Sequence, residues 1–299
     1  MRLVSYGDPG DERPGVLTDD DRIVPLRPLL AARGVPDADM NDVLARLPAL
    51  RTAIDALCAD ARDALPLDSV RLGPPVPRPR AIVAVGANYA DHIREVTDPH
   101  TDFPEVPVLF SKPTSSLTGP YDPIVRPVES ERLDYECELA VVIGRGGRRI
   151  AERDAGAHIA GYMIANDVTA RDVFLREVRK NPAYLQILRG KGYDTFCPTG
   201  PWLLTADVAP ARFRIRTWVN GELRQDGSDG QMVFGVGALV ASVSDCMTLA
   251  AGDVILTGTP AGVGIGRVPP CYLGPGDSVR MEISGLGVMV SGVQGEVVF

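Results

Sequence analysis

The 299-residue sequence predicts an α+β fold that is mainly β, a mixed-sheet body preceded by a small N-terminal α+β domain. Three observations carry that prediction. Short apolar runs of strand length recur at residues 81–85, 108–110, 139–143, 213–219, 254–257, 279–283, 288–291 and 296–299. These runs do not alternate with helical segments, which disfavours a doubly wound parallel sheet. Asn220-Gly221 follows one of them directly and is a strong two-residue hairpin signal.

Taken in order, residues 1–26 read as a hairpin region, with strands at 2–6, 15–17 and 22–26 around a Gly/Asp/Pro turn. Between 37 and 65, Met40, Val43, Leu44, Leu47, Leu50, Ile54 and Leu57 recur at helical spacing. Pro48 interrupts the series and predicts two short helices in place of one. The stretch LGPPVPRPR at 72–80 reads as a linker. It sets the expected boundary, a domain over 1–77 and a larger one over 78–299. A helix is expected near 233–246, after a Gly/Asp-rich loop, and another over 172–180.

Composition bounds the function. Hydrophobic residues make up 45% of the chain and the net charge is −8. An acidic chain of this kind is a poor partner for nucleic acid, which needs a basic face. No apolar run approaches the roughly 20 residues that span a bilayer, and the N-terminus lacks a signal-peptide pattern. The five cysteines, Cys58, Cys137, Cys197, Cys246 and Cys271, are scattered and form no CxxC pair. They read as reduced thiols of a cytoplasmic protein.

The chemistry is concentrated in a few segments. Asp134-Tyr135-Glu136-Cys137-Glu138 leads into an apolar strand, so Glu136 and Glu138 project to one face. Paired carboxylates near a core call for a hard cation such as Mg²⁺, Mn²⁺ or Ca²⁺. Taken alone, the pair reads more readily as a solvated acidic face. Residues 159–166 form a second apolar run that ends on Asn166-Asp167 and can deliver a third carboxylate. Gly190-Lys191-Gly192 and the loop Thr257-Gly258-Thr259-Pro260 let backbone approach a ligand closely. His92 and Glu95 lie one helical turn apart, and a carboxylate beside an imidazole fixes its tautomer for general-base work. On spacing alone that pair also reads as a surface contact. His100 and His158 have no such setting and read as structural.

In order along the chain, GANYADHIRE (86–95), FPEVPVLFSKPTSSLTGP (103–120), DYECELAVVIG (134–144), NDVTARD (166–172), KGYDTFCPTGP (191–201) and GDVILTGTPAGVG (252–264) resemble the fumarylacetoacetate hydrolase family. The resemblance covers roughly 78–299, and residues 1–77 resemble the variable N-terminal domain of bacterial members. It implies a mixed β-roll, commonly a homodimer. It implies that Glu136, Glu138 and Asp167 hold a catalytic Mg²⁺ or Mn²⁺, with Ca²⁺ as a third option. His92 and Glu95 fall where members carry a water-activating pair on a lid helix. Lys191 matches a lysine that binds a substrate oxygen. Thr259 and Gly258 match a loop that holds the substrate carboxylate, and Asn88 and Tyr89 fall among further substrate contacts.

The implied reaction is hydrolysis of a C–C bond in a small 2,4-dioxo acid of acylpyruvate type, through an enolate that the metal stabilises. Isomerisation or decarboxylation of an unsaturated 2-oxo dicarboxylate or of oxaloacetate is the alternative. A metal-binding protein without catalysis is the reading from another class. One departure bears on the substrate: Phe174 stands where relatives often carry glutamine. It reads either as a pocket residue or as a core residue of the 172–180 helix. Arg171 and Asp172 read as structural.

Overall fold

The computed structural model describes residues 1–98 and 100–298. One mixed sheet forms its spine. In spatial order it runs Leu65–Pro66, Arg22–Pro25, Arg13–Leu17, Arg2–Tyr6, Cys197–Thr205, Ile159–Asn166, Cys137–Ile143, Val254–Leu256, Ile82–Gly86 and Val108–Lys112. Neighbours are antiparallel except Val254–Leu256 and Ile82–Gly86, which run parallel. A second, five-stranded sheet is ordered Glu222–Ser228, Arg214–Val219, Ser278–Ile283, Gly287–Gly295 and Ile124–Arg126. The α+β, strand-rich class expected from the sequence is the class observed.

Cys137–Ile143 is buried throughout, so both of its faces are covered. Ala140 and Val142 share a core with Leu3, Met40, Leu44, Ile82, Leu203 and Leu256. Cys137 and Leu139 pack toward the second sheet, with Tyr135, Ile164, Ile215 and Met281. Val141 and Ile143 pack under the helix Val236–Cys246, against Leu239, Val240 and Val243. The N-terminal strands extend the main sheet, since Arg2 and Leu3 pair with Leu204 and Leu203. The proline-rich stretch follows these elements and leads into Ile82–Gly86. None of the helices among the described residues is long and apolar enough to cross a membrane.

Three local expectations are corrected. Met40–Asp60 is a single helix with Pro48 inside it. Its start is fixed by a capping box, with Asp39 accepting from the Asn41 and Asp42 backbone N–H groups at 2.8 and 3.3 Å. Its buried face, Met40, Val43, Leu44, Leu50 and Ile54, continues on both sides of the proline and holds the two halves in line. The helix expected over 172–180 stops after one turn, Arg171–Phe174, and gives way to turns and the short helix Ile187–Lys191. The strand expected over 288–291 runs longer, Gly287–Gly295, and the separate strand expected over 296–299 is not formed at 296–298. Glu296 caps the sheet end by accepting from the Val128 N–H at 3.0 Å, and Phe299 lies outside the described residues. The hairpin at Asn220-Gly221 forms as read, both residues at positive φ (51° and 82°), as its tight turn requires.

Pro48 cannot donate to the Leu44 carbonyl and its ring crowds that group. Pro48→Ala is therefore expected to stabilise the protein by about 1–3 kcal/mol, read as a higher midpoint in urea unfolding. An unchanged or lower midpoint would show that the helix has absorbed the proline without cost.

Candidate metal centre

Strand register builds the centre. Cys137 pairs with Asn166, so Glu136 and Asp167 face each other one position beyond, and the Asp167 N–H donates to the Glu136 carbonyl at 2.9 Å. Glu138 lies two residues on from Glu136, on the same face. On its other side, Ala140 pairs with Leu256, which brings Gly258 opposite Glu138. The Gly258 N–H donates to Glu138 Oε2 at 2.6 Å. Gly258 has φ +92°, and a Cβ there would meet the Val85 carbonyl oxygen at 3.1 Å, so glycine is what lets the loop pass so close. The carboxylates of Glu136, Glu138 and Asp167 each place an oxygen within 4.8 Å of the others, and all three are buried.

Three buried cations surround them. Lys191 Nζ donates to Glu136 Oε2 at 2.8 Å and to Asp167 Oδ2 at 2.5 Å. Lys112, fully buried, donates to Asp167 Oδ1 at 2.6 Å and to the Lys191 carbonyl at 2.5 Å. Arg171 bridges Asp134 Oδ2 at 2.8 Å and Glu136 Oε1 at 2.5 Å. Glu138 has no cationic partner within ion-pair distance among the described residues.

The consequences differ along one short strand. Burial would push Glu136 up, but Lys191 and Arg171 hold it well below the usual carboxylate range. Glu138 is raised well above it, by burial first and then by the charges of Asp167 and Glu136. Burial would lower Lys191, yet Asp167 and Glu136 keep it above its ordinary value, as an ammonium. Three oxygen donors on one face, one of them without a cationic partner, form a donor set suited to a hard divalent cation.

These groups line a cavity of about 150 Å³ together with Val85, Ala87, His92, Phe110, Arg171, Phe174 and Thr259. His92 lies on the helix Ala90–Val96, its Nδ1 3.4 Å from Glu95 Oε2. Glu95 Oε1 accepts from the Gly262 N–H at 2.9 Å, which ties the helix to the loop after Gly258. Of the residues expected from the sequence, Glu136, Glu138, Asp167, His92, Lys191, Gly258 and Thr259 come together here, with Glu95 directly behind His92. The Thr259 hydroxyl is committed, donating to the Cys137 carbonyl and accepting from Gln225 Nε2, both at 2.8 Å.

Asn88 and Tyr89 are buried but do not line the cavity. The Asn88 amide clamps Thr257 and Phe234, and the Tyr89 hydroxyl faces Thr257 Oγ1 at 3.5 Å. Asp172 is structural, as read, accepting from Ser130 and the Glu131 N–H. Arg171, read as structural, lies in the site wall and holds a carboxylate of the cluster. Gln225 carries no signal in the sequence that separates it from other strand residues, and Lys112, within the 103–120 motif, cannot be placed from the sequence; only the register brings them here. A larger, mainly apolar cavity of about 670 Å³ lies against the helix Met40–Asp60 and shares no lining residue with the one at the carboxylate cluster; Arg51 and Asp207 in its wall are paired at 2.9 Å.

A carboxyl whose pKa is raised by folding holds a proton that the unfolded chain releases. Glu138 therefore costs the metal-free protein stability as pH rises from the ordinary carboxylate range toward its raised value. Glu138→Gln should raise the melting temperature of the metal-free protein by a few degrees near neutral pH, flatten its fall with pH, and remove the stabilisation by added Mn²⁺. A variant that is less stable than the parent, or that keeps the full Mn²⁺ shift, would contradict this account of Glu138.

Comparison with known proteins shows the family. The family model for the fumarylacetoacetate (FAA) hydrolase C-terminal domain matches residues 81–294. The human mitochondrial oxaloacetate tautomerase FAHD2A is 48% identical over 231 residues, 77% of this chain and 71% of that protein. The crystal structure of a probable 2-hydroxyhepta-2,4-diene-1,7-dioate isomerase from Mycobacterium abscessus superposes with a TM-score of 0.82 at 41% identity, covering all of both chains. Maleylpyruvate hydrolase from Sphingobium sp. SYK-6, solved with manganese(II) and pyruvate, gives a TM-score of 0.79 at 33% identity over 99% of this chain and 100% of that one. The chain is an enzyme of the fumarylacetoacetate hydrolase family.

Proposed function

We propose that the enzyme hydrolyses a C–C bond in a small 2,4-dioxo acid of acylpyruvate type. The observation that carries this reading is that one cavity is lined by both halves of the chemistry: the carboxylate cluster with its lysine, and His92, which Glu95 backs from outside the lining. The cavity volume, about 150 Å³, is well below the roughly 300–1,000 Å³ of pockets for drug-sized ligands and suits a molecule of a few carbons. The Sphingobium relative was solved with pyruvate, the product that such a cleavage would release.

Glu136, Glu138 and Asp167 would hold Mg²⁺ or Mn²⁺. That cation would supply Lewis-acid neutralisation of the charge that develops on the 2-oxo carboxylate end of the substrate. Glu95 orients His92 through Nδ1, and the other ring nitrogen takes a proton from water. The hydroxide adds to the C4 carbonyl, the C3–C4 bond breaks, and its electron pair passes to the three-carbon fragment as the enolate of pyruvate. A proton returned to C3 gives pyruvate, and the acyl group leaves as a carboxylic acid. Lys191, held as an ammonium by Asp167 and Glu136, donates to the oxygen on which charge collects.

The second reading is proton transfer at C3 without attack by water, as in keto–enol tautomerisation of oxaloacetate. The 48% identity to the human tautomerase favours it. There His92 would move the C3 proton directly.

A substrate panel with Mg²⁺ or Mn²⁺ separates the two. Acetylpyruvate is expected to be cleaved to acetate and pyruvate. His92→Ala should lower that rate by about 10²–10⁴-fold while Mn²⁺ affinity stays unchanged. Cleavage by the variant at the parent rate would remove His92 as the base. Acceleration of oxaloacetate tautomerisation, with acetylpyruvate left intact, would transfer the assignment to the second reading.

A further inference from the structure

We infer that Asp91 is a positioning residue for His92: its carboxylate latches the helix Ala90–Val96 to two separate segments of the chain and so holds His92 at the cavity. The inference rests on the reading of His92 as the base and adds the residue that sets where that base stands. The helix needs such a latch. Its seven residues are well short of the roughly 12–15 at which a helix becomes even marginally stable by itself. Among them only Ile93 is buried, and Tyr89, which precedes the first turn, makes no side-chain cap. Apolar packing therefore grips one side chain, and polar contacts must fix the rest.

Asp91 uses both of its oxygens. Oδ1 accepts from the His92 N–H at 2.9 Å, which satisfies one of the open donors of the first turn. Oδ2 turns off the helix, accepting from Gln231 Nε2 at 2.8 Å and from the Ala261 N–H at 3.3 Å. The Gln231 amide is fixed in this orientation. Its Oε1 accepts from the Ser228 N–H at 2.7 Å in a capping box at the end of the strand Glu222–Ser228, so Nε2 is the atom that faces Asp91. Two donors from distant segments thus converge on one oxygen, and an ionised carboxylate, which only accepts, meets both.

The far end of the helix is fastened to the same loop. Glu95 Oε1 accepts from the Gly262 N–H, and Gly266 packs so closely on this carboxylate that a Cβ there would collide with it. His92 stands between the two anchors. Both anchors reach the loop whose Gly258 N–H donates to Glu138, so the position of His92 is set relative to the carboxylate cluster and not only relative to its own helix.

The test exchanges the polarity of the Asp91–Gln231 contact in the full-length protein. Asp91→Asn keeps the shape but can set an NH₂ group against Gln231 Nε2 and the Ala261 N–H. Gln231→Glu keeps the bond to Ser228 and sets two carboxylates against each other. The double variant again places a donor opposite an acceptor. Three quantities are read: hydrogen exchange of the 90–96 amides, modification of His92 by diethyl pyrocarbonate with His158 as internal reference, and kcat and KM for acetylpyruvate with Mn²⁺. Each single variant should speed exchange and His92 modification roughly 10-fold. Each should lower kcat roughly 10-fold or more with a smaller change in KM, while His158 reacts as in the parent. The double variant should return all three toward the parent. Parental exchange and modification in Asp91→Asn, or a double variant no closer to the parent than the singles, overturns the inference. So does faster exchange at parental kcat, which would make Asp91 a fastener of the helix without effect on the base. Absence of acetylpyruvate cleavage by the parent itself would sink the hydrolytic reading, and the exchange and modification rates would then decide the latch without it.

Discussion

The structure depends on a buried charge imbalance. Asp134, Glu136, Glu138 and Asp167 face Lys112, Lys191 and Arg171, four carboxylates against three cations, all buried. Isolated buried charges are expensive and each must find a partner or change its protonation. Asp134, Glu136 and Asp167 find partners; Glu138 receives one backbone N–H and little else. A chain selected for stability alone would replace Glu138 with an apolar or amide side chain. Its presence fits a cluster that a divalent cation would complete.

That imbalance is held by backbone pairing, not by flexible side chains. Glu136 opposes Asp167 and Gly258 opposes Glu138 because three adjacent strands share one register. A slip of one residue would turn the carboxylates to the other face. The loop after Gly258 then couples floor to wall. Gly264 and Ile265 donate to Asp134, which holds Arg171 and through it Glu136. Ala261 and Gly262 donate to Asp91 and Glu95 on the helix that carries His92. Gln225 fastens the same loop to the Cys137 N–H and to Thr259. His92, Glu95 and the three clustered carboxylates are therefore positioned by one stretch of chain, which is the preorganisation that the proposed enolate chemistry would require.

Much of this was legible in the sequence, for a physical reason. Glu136 and Glu138 alternate on a strand and His92 and Glu95 share a helical turn, so local periodicity put the members of each pair on one face, while their reading as a site came from the order of the motifs. The strand-rich class followed from the same period, and the motif order supplied the family. The rest depends on pairing between distant segments. Arg171 reads as an ordinary polar residue until Ala170 and Thr169 pair with Leu133 and Asp134 and swing it onto the cluster. Lys112 acquires its role only because Val108–Lys112 forms the sheet edge beside Ile82–Gly86. Asn88 and Tyr89, adjacent to the site in sequence, turn away because their side chains are spent on Thr257 and Phe234. Pro48 misled because tertiary packing on both flanks outweighs one missing hydrogen bond.

The most direct measurement is anomalous diffraction from crystals grown with Mn²⁺. The account predicts a single strong anomalous peak ligated by Glu136, Glu138 and Asp167, absent from crystals of Glu136→Gln protein. A peak elsewhere in the chain, or none at saturating Mn²⁺ with Glu136 and Asp167 still closed on Lys191, would contradict it.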